Sequence, residues 1–458
     1  MIEIFNIIIL LIIFLLLFFS PLSKKFYDNL YKNYKYNVFD VASVNLAIFL
    51  SILLILSFLN IQTKYVFYFA LLISLASYIY NFNFFLKLIK KKIIIKLLFF
   101  FTVFNFAIYI NLVNNLSLGW DSFIHWMPKA YNFYSGAGYE NLVNYHSLTY
   151  PHLGSYIWAF FWKNSFLEFE YNGRLFFVFI YLISIFSISC TILNLKNFGK
   201  KNQLIMIILF ILLIFFFSSS DNIIGSVNDH LFGGYQEVLI FSLLVMISKI
   251  FYLVKNNQSN NLLIFFLFVF SSLLIWIKDE GLIYSIFILL IFILHIDVKK
   301  KIKLLYIFFS LILIFTQIFI ENYYSSNHNY FNMNSFFHKS LLEQILSFKI
   351  IDRTILIINF FLISCLKTPL WIFILFFTPI FFLYKKLYSN FKYMLTFMLL
   401  NIIFLFGVYI QTPHDLYFML TSSMHRLLMQ TSGFYILMVI LCFSNLIKES
   451  IFKNSINS

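Results

Sequence analysis

The sequence predicts an all-α polytopic membrane protein of about 13 transmembrane helices, with short juxtamembrane helices in the loops of one side. Three observations carry this. Of 458 residues, 62% are apolar, which is enough for roughly 13 bilayer spans of about 20 residues each. Charged residues make up only 11%, against roughly a quarter in soluble domains. The apolar residues form unbroken runs, whereas a barrel would show short alternating segments. In lipid only helices and closed barrels satisfy every backbone polar group. A cytosolic enzyme, a disordered chain, a disulfide scaffold and a nucleic-acid binder are excluded by the same numbers.

Apolar runs lie near 2–20, 38–60, 66–86, 97–117, 171–195, 203–219, 235–254, 261–277, 281–297, 304–320, 368–384, 393–411 and 431–447. The first has no basic flank before it and no small-residue cleavage site after it, which reads as a retained span. Residues 354–366 are apolar but too short to cross, and fit an interfacial or re-entrant helix. Lysine clusters at Lys24/Lys25/Lys32/Lys35, Lys87 to Lys96, Lys196/Lys200/Lys201, Lys299 to Lys303 and Lys385/Lys386/Lys392 follow alternate spans. The bias of basic residues towards the cytoplasm then puts the N-terminus outside and the C-terminus inside. Three parts result: an N-terminal three-span segment (1–96), a main transmembrane region (97–447) and a cytoplasmic tail (448–458). Cys190, Cys365 and Cys442 fall in or beside apolar runs and read as packing residues, with no metal-ligand spacing.

This topology sorts the polar residues. The outer loops are 118–170, 220–234, 278–281, 321–352 and 411–430, and they and their edges hold 13 of the 18 acidic residues. All three arginines, Arg174, Arg353 and Arg426, fall at the outer boundary of a chain with 30 lysines. Guanidinium grips phosphate or carboxylate through a two-pronged geometry that ammonium lacks; a salt bridge at a loop end is the competing account for each. The span interiors carry few ionisable groups, with Asp40 and Lys249 near cytoplasmic ends. A coupled transporter should carry charge at mid-membrane depth. The working surface is therefore expected at the outer membrane–water boundary.

The longest outer loop holds four of the six tryptophans, between 120 and 162. In it Asp121, His125 and Lys129 are spaced to share one helical face. An interfacial aromatic belt with a capping aspartate is the plainer reading of this stretch. Asp121 nevertheless emerges straight from a span, where a carboxylate can accept a proton from a hydroxyl. His146 and His152 flank Tyr150-Pro151, as acceptor contacts or as interfacial residues. Lys278-Asp279-Glu280-Gly281 reads either as a tight charged turn or as part of a site.

The order of these pieces resembles the GT-C superfamily of integral-membrane glycosyltransferases, near its protein-mannosyltransferase and aminoarabinose-transferase-like branch. The resemblance rests on Asp121 after a span, Tyr171-Asn172-Gly173-Arg174-Leu175-Phe176 opening the next, and Asn228-Asp229-His230. It continues with Trp276-Ile277-Lys278-Asp279-Glu280-Gly281-Leu282, Thr412-Pro413-His414-Asp415-Leu416 and His425-Arg426-Leu427-Leu428, and covers roughly 97–447. It implies a GT-C-like fold and transfer of a sugar from a polyprenyl-phosphate carrier to a glycan, lipid or protein acceptor. The implied place is the periplasmic face of a bacterial inner membrane, with membrane lipid and no nucleic acid as a partner. Asp121 would be the catalytic base. Many relatives have two adjacent acids here, whereas this chain has Asp121-Ser122, which leaves a divalent cation open and points to Asp229 for the second carboxylate. Lys278 and Arg426, with Arg174 and Arg353 behind them, are the candidates for the donor phosphate. His125, His146, Asp229 and Glu280 are the candidates for acceptor binding or support. The rival reading is a lipid-linked polysaccharide polymerase or O-antigen ligase, and a flippase or transporter stands behind both.

Overall fold

The computed structural model describes residues 2–32, 34–59, 61–144, 150–194, 207, 233–256, 260–326, 349–367, 369–383, 385–412 and 415–456. Among these every regular element is helical, with no strand. The chain opens with α1 (Ile2–Phe19), α2 (Lys24–Tyr31), α3 (Val38–Leu59), α4 (Thr63–Tyr80), α5 (Phe82–Ile89) and α6 (Lys92–Asn114). A π-helical turn (Ser122–Trp126), α7 (Met127–Ser135), a 3-10 segment (Tyr139–Asn144) and α8 (Leu153–Asn164) then lead into α9 (Tyr171–Asn194). The second half contains α10 (Glu237–Asn256), α11 (Asn261–Ile275), α12 (Asp279–His295) and α13 (Lys300–Ser326). It closes with α14 (Lys349–Lys367), α15 (Pro369–Leu383), α16 (Lys385–Gln411) and α17 (Leu416–Ile456).

Eight described helices are long and apolar enough to cross a membrane: α1, α3, α4, α6, α9, α10, α13 and α16. A ninth is reached if α14 and α15 form one broken span, bent by 106°. Pro369 opens α15 at this bend; proline lacks the N–H needed to continue a helix and disfavours helical backbone just before it. The expected interfacial piece at 354–366 is thus the larger part of α14. Of the other expected spans, 203–219 lies outside the described residues save Ile207. The run 66–86 is divided at Asn81 into α4 and α5. The apolar helix α11 has 15 residues, about 22 Å at 1.5 Å per residue, short of the roughly 30 Å hydrocarbon core.

Within the expected outer loop at 411–430 the chain is helical from Leu416 onward, continuous with the following apolar run. Its run of Thr and Ser looks like loop sequence. The hydroxyls at 421–423 instead turn back onto their own helix: Thr421 donates to the Tyr417 carbonyl at 3.0 Å, Ser422 to Phe418 at 2.8 Å and Ser423 to Met419 at 2.6 Å. Back-bonding of this kind satisfies the hydroxyl without breaking the helix. Asp415 caps the start, accepting from the Phe418 N–H at 2.7 Å.

The core lies where α10, almost wholly buried, packs against α9, α11 and α17. The N-terminal segment is built into the same body. Phe14 and Phe18 of α1 meet Phe176 of α9 with ring centroids 5.2 and 5.4 Å apart, and Phe161 of α8 meets Phe176 at 4.1 Å. Such ring pairs add about 0.5–1.5 kcal/mol beyond area burial. Asn6 donates to Asn172 at 2.8 Å between buried side chains. Asp40 of α3 and Lys249 of α10, both buried, form an ion pair, and Lys249 also donates to the Ser187 carbonyl at 2.6 Å. Lys249 lies twelve residues along α10 from Glu237, about 18 Å along the axis. Ion pairs at both places hold α10 in one register.

Candidate functional site

Three chain segments are tied together before any charged group is considered. The Leu153 N–H at the start of α8 donates to the Trp276 carbonyl at 2.9 Å. Gln236, just before α10, donates to the Ile277 carbonyl at 2.8 Å and accepts from Ser155 Oγ at 3.2 Å, with its amide oriented to satisfy both groups. The Gly119 N–H donates to the Gly233 carbonyl at 3.1 Å. The heads of α8, α10 and α12 and the strand of chain entering the π turn therefore meet at one end of the bundle.

Two glycines permit this closeness. A Cβ on Gly119 would stand 2.0 Å from the Tyr235 ring, and one on Gly281 would stand 2.0 Å from the Leu274 carbonyl oxygen. The turn between α11 and α12 is consequently tight, with the Gly281 N–H on the Lys278 carbonyl at 2.8 Å.

Onto this frame the charged groups fall in alternation. Arg426 of α17 donates to Asp121 and lies 3.9 Å from Glu237 Oε1. Lys278 donates to that same Glu237 oxygen at 2.7 Å and pairs with Glu280 at 3.0 Å. Asp121 and Arg426 are about one-fifth exposed, whereas Glu237 is wholly buried. The Arg426 guanidinium also lies over the Tyr235 ring, 5.9 Å from its centroid. Burial opposes the charge on Lys278, but Glu237 and Glu280 outweigh it and raise its pKa. Both cations are thus held charged in a site largely shielded from water.

Asp121 stands at the N-cap of a π-helical turn. Such turns are rare and often mark functional positions, because the wider ring offsets the side chains from α-helical phase. His125 lies between Trp120 and Tyr150, with ring centroids 5.8 and 5.4 Å away. Lys129 is buried and donates to the Tyr150 carbonyl at 2.6 Å, its ammonium 5.7 Å from the Trp126 ring centroid. Burial, with Asp279 behind it, pushes the Tyr150 hydroxyl up to about 12. The neighbouring His152 is a packing residue: it is buried, lies 2.7 Å from Ser57 Oγ, and burial followed by Lys129 lowers its pKa to about 3.

Of the residues singled out in the sequence, Asp121, Lys278, Glu280 and Arg426 converge, with His125 on the adjoining aromatic wall. Arg174 does not join them. It is fully buried, pairs with Glu170 at 2.8 Å and donates to the Leu116 carbonyl at 3.3 Å, fastening the end of α6 to α9. Arg353 binds the Tyr409 and Thr412 carbonyls at 3.2 and 2.9 Å, closing the end of α16. Both arginines serve the helix ends that a guanidinium fork suits well. His146 and Asp229 lie outside the described residues. Among the described residues no group of three or more His, Cys, Asp or Glu could hold a metal ion.

Glu237 is the member that sequence reasoning did not single out. It is one of many acids at span mouths, and Lys278 and Arg426, which it pairs with, are 41 and 189 positions away. The available signal was a carboxylate opening an otherwise apolar helix. Against protein-family models, curated proteins and solved structures alike, the chain finds no match.

Proposed function

We propose that this protein is a membrane glycosyltransferase that moves a sugar from a polyprenyl-phosphate carrier to an envelope acceptor at the outer membrane–water boundary. The observation that supports this reading is the meeting of Asp121, Arg426 and Lys278 around one buried carboxylate, from three distant parts of the chain. A carboxylate beside two fixed cations suits a reaction in which a hydroxyl loses its proton as a phosphate departs.

In this reaction the acceptor oxygen attacks the anomeric carbon and the bond from that carbon to the phosphate oxygen breaks, with inversion. The hydroxyl proton goes to Asp121, and the bonding pair leaves on the phosphate. Arg426 exchanges its hydrogen bond to Asp121 for one to the phosphate, which frees the carboxylate as the donor seats. Lys278 meets the same developing charge. The side chains around the pair suit a prenyl chain: Trp120 and Phe123 flank Asp121, and Tyr417 and Phe418 stand two turns before Arg426. All four are more than half exposed.

The test is a transfer assay with a panel of radiolabelled polyprenyl-phosphate sugars and purified protein, with and without chelator. Transfer from at least one donor, lost a hundredfold or more in Asp121→Asn, is expected. Near-normal turnover in Asp121→Asn protein overturns the assignment of the base, and no transfer from any donor overturns the reading.

A further inference from the structure

We infer that Glu237 is a specificity-determining residue that sets the site against a doubly charged phosphate, so that the spent carrier is released in preference to the sugar-loaded one. This rests on the transferase reading above.

Glu237 is wholly buried, yet its one oxygen Oε1 is the point on which both cations converge, Lys278 at 2.7 Å and Arg426 at 3.9 Å. A carboxylate oxygen there occupies the place at which a phosphate oxygen would bind both cations. Neutralising Lys278 and Arg426 does not require it. Glu280 already pairs with Lys278 at 3.0 Å, and Asp121 already bonds to Arg426. With Glu237 counted, three carboxylates face two cations in a site with little solvent. Glu237 faces Lys278 at the head of α12 and Arg426 of α17, whose other carboxylate partners are Glu280 and Asp121, and its charge is felt by the hydroxyls of Tyr235 and Tyr284.

The donor and the spent carrier differ in charge. A sugar linked through phosphate to a prenyl chain is a phosphodiester with one negative charge. The spent carrier is a phosphomonoester whose second proton leaves near pH 6, so it carries nearly two charges at neutral pH. An extra buried negative charge a few ångströms away penalises the second charge strongly, since close pairs are poorly screened when shielded from water. Without Glu237, two carboxylates would balance the two cations and the site would discriminate little between product and substrate. Glu237 tips that balance towards the singly charged substrate.

The experiment uses the full chain in detergent micelles and two probes, farnesyl methyl phosphate as diester and farnesyl phosphate as monoester, with binding measured at pH 5 and pH 8. The wild-type protein should prefer the diester at least tenfold at pH 8. The preference should shrink at pH 5, where the monoester carries one charge; the diester at each pH corrects for titration of the protein. Glu237→Gln should reduce the pH 8 preference to threefold or less by tightening monoester binding, and Glu237→Asp should keep it. An unchanged preference in Glu237→Gln, or no preference in the wild type, overturns the inference while leaving the transferase reading intact. Should Glu237→Gln fail to fold, the wild-type pH comparison decides alone. Failure of the wild type to bind either probe overturns both.

Discussion

Asp121 and Arg426, 305 positions apart in the chain, are joined side chain to side chain at the mouth of the helical bundle. Each is about one-fifth exposed, so the pair is neither a solvated surface bridge nor a wholly desolvated one. Surface pairs contribute about 0–1 kcal/mol, whereas contacting groups in a shared network couple by roughly 0.5–3 kcal/mol. A double-mutant cycle of Asp121→Asn and Arg426→Gln, read by denaturant unfolding in detergent, should give a coupling of about 1–3 kcal/mol. Additive losses would show that the contact is energetically idle.

Lys278 is the main support of the buried Glu237. Lys278→Met removes the nearer cation and leaves the Glu237 charge under-compensated in a shielded site, where loss of a partner typically costs about 3–5 kcal/mol. Adding Glu237→Gln removes that excess charge and should restore most of the lost stability. The comparison is of unfolding free energies for the single and double variants. A double variant no more stable than Lys278→Met would mean that Glu237 keeps adequate partners without the lysine.

His152 gives the fold an acid sensitivity with a definite sign. Burial, with Lys129 behind it, holds its folded pKa near 3, against 6.5 for the ordinary side chain. Above pH 6.5 the ring is neutral in both states and its contribution is fully present. As pH falls below 6.5 the unfolded state takes up the proton and the folded state does not, so stability is lost by up to about 1.4 kcal/mol per pH unit until the folded pKa is reached. His425, lowered to about 4 by burial and then by Arg426, acts in the same direction. Thermal unfolding at pH 7 and pH 5 should show a clear drop for the wild type and a smaller one for His152→Gln. Equal drops would place the acid-sensitive group elsewhere.

Gly281 and Gly407 make a matched pair. Alanine at 281 would bring a Cβ within 2.0 Å of a backbone oxygen, Leu274 O, which no rotamer change can relieve; at 407 nothing lies within 4 Å. Gly281→Ala should destabilise by about 1–3 kcal/mol. Gly407→Ala, inside α16, should be neutral or stabilising by up to about 1 kcal/mol. Melting temperatures of the two variants against wild type test this, and similar values for both would refute the close approach at the α11–α12 turn.

Much of the architecture could be read along the chain because it follows from local composition. The runs that became α1, α3, α6, α9 and α10 are long, apolar and bounded by polar residues, and the helices begin and end within a few positions of the expected limits. The stretch 416–430 could not be read this way. Its Thr and Ser content is that of a loop, and only the observed back-bonding to helix carbonyls shows how a continuous helix absorbs it. The candidate site was half legible. Asp121, Lys278, Glu280 and Arg426 stood out as charges placed where helices end. Arg174 and Arg353 stood out for the same reason, but bind helix-end carbonyls instead.

The amino-acid sequence by itself determined that the chain builds long apolar helices of a length that can cross a membrane. The transfer of apolar side chains out of water is a nearly additive sum over residues, so their number and spacing suffice to predict long apolar helices. Tertiary structure alone decided which charges meet. Attraction between ions falls with distance and depends on the water between them, and neither quantity exists until α10, α12, α17 and the π turn have packed. Glu237 shows the difference: unremarkable as one acid among eighteen, it becomes the shared partner of Lys278 and Arg426 only when the heads of α10 and α12 close against α17.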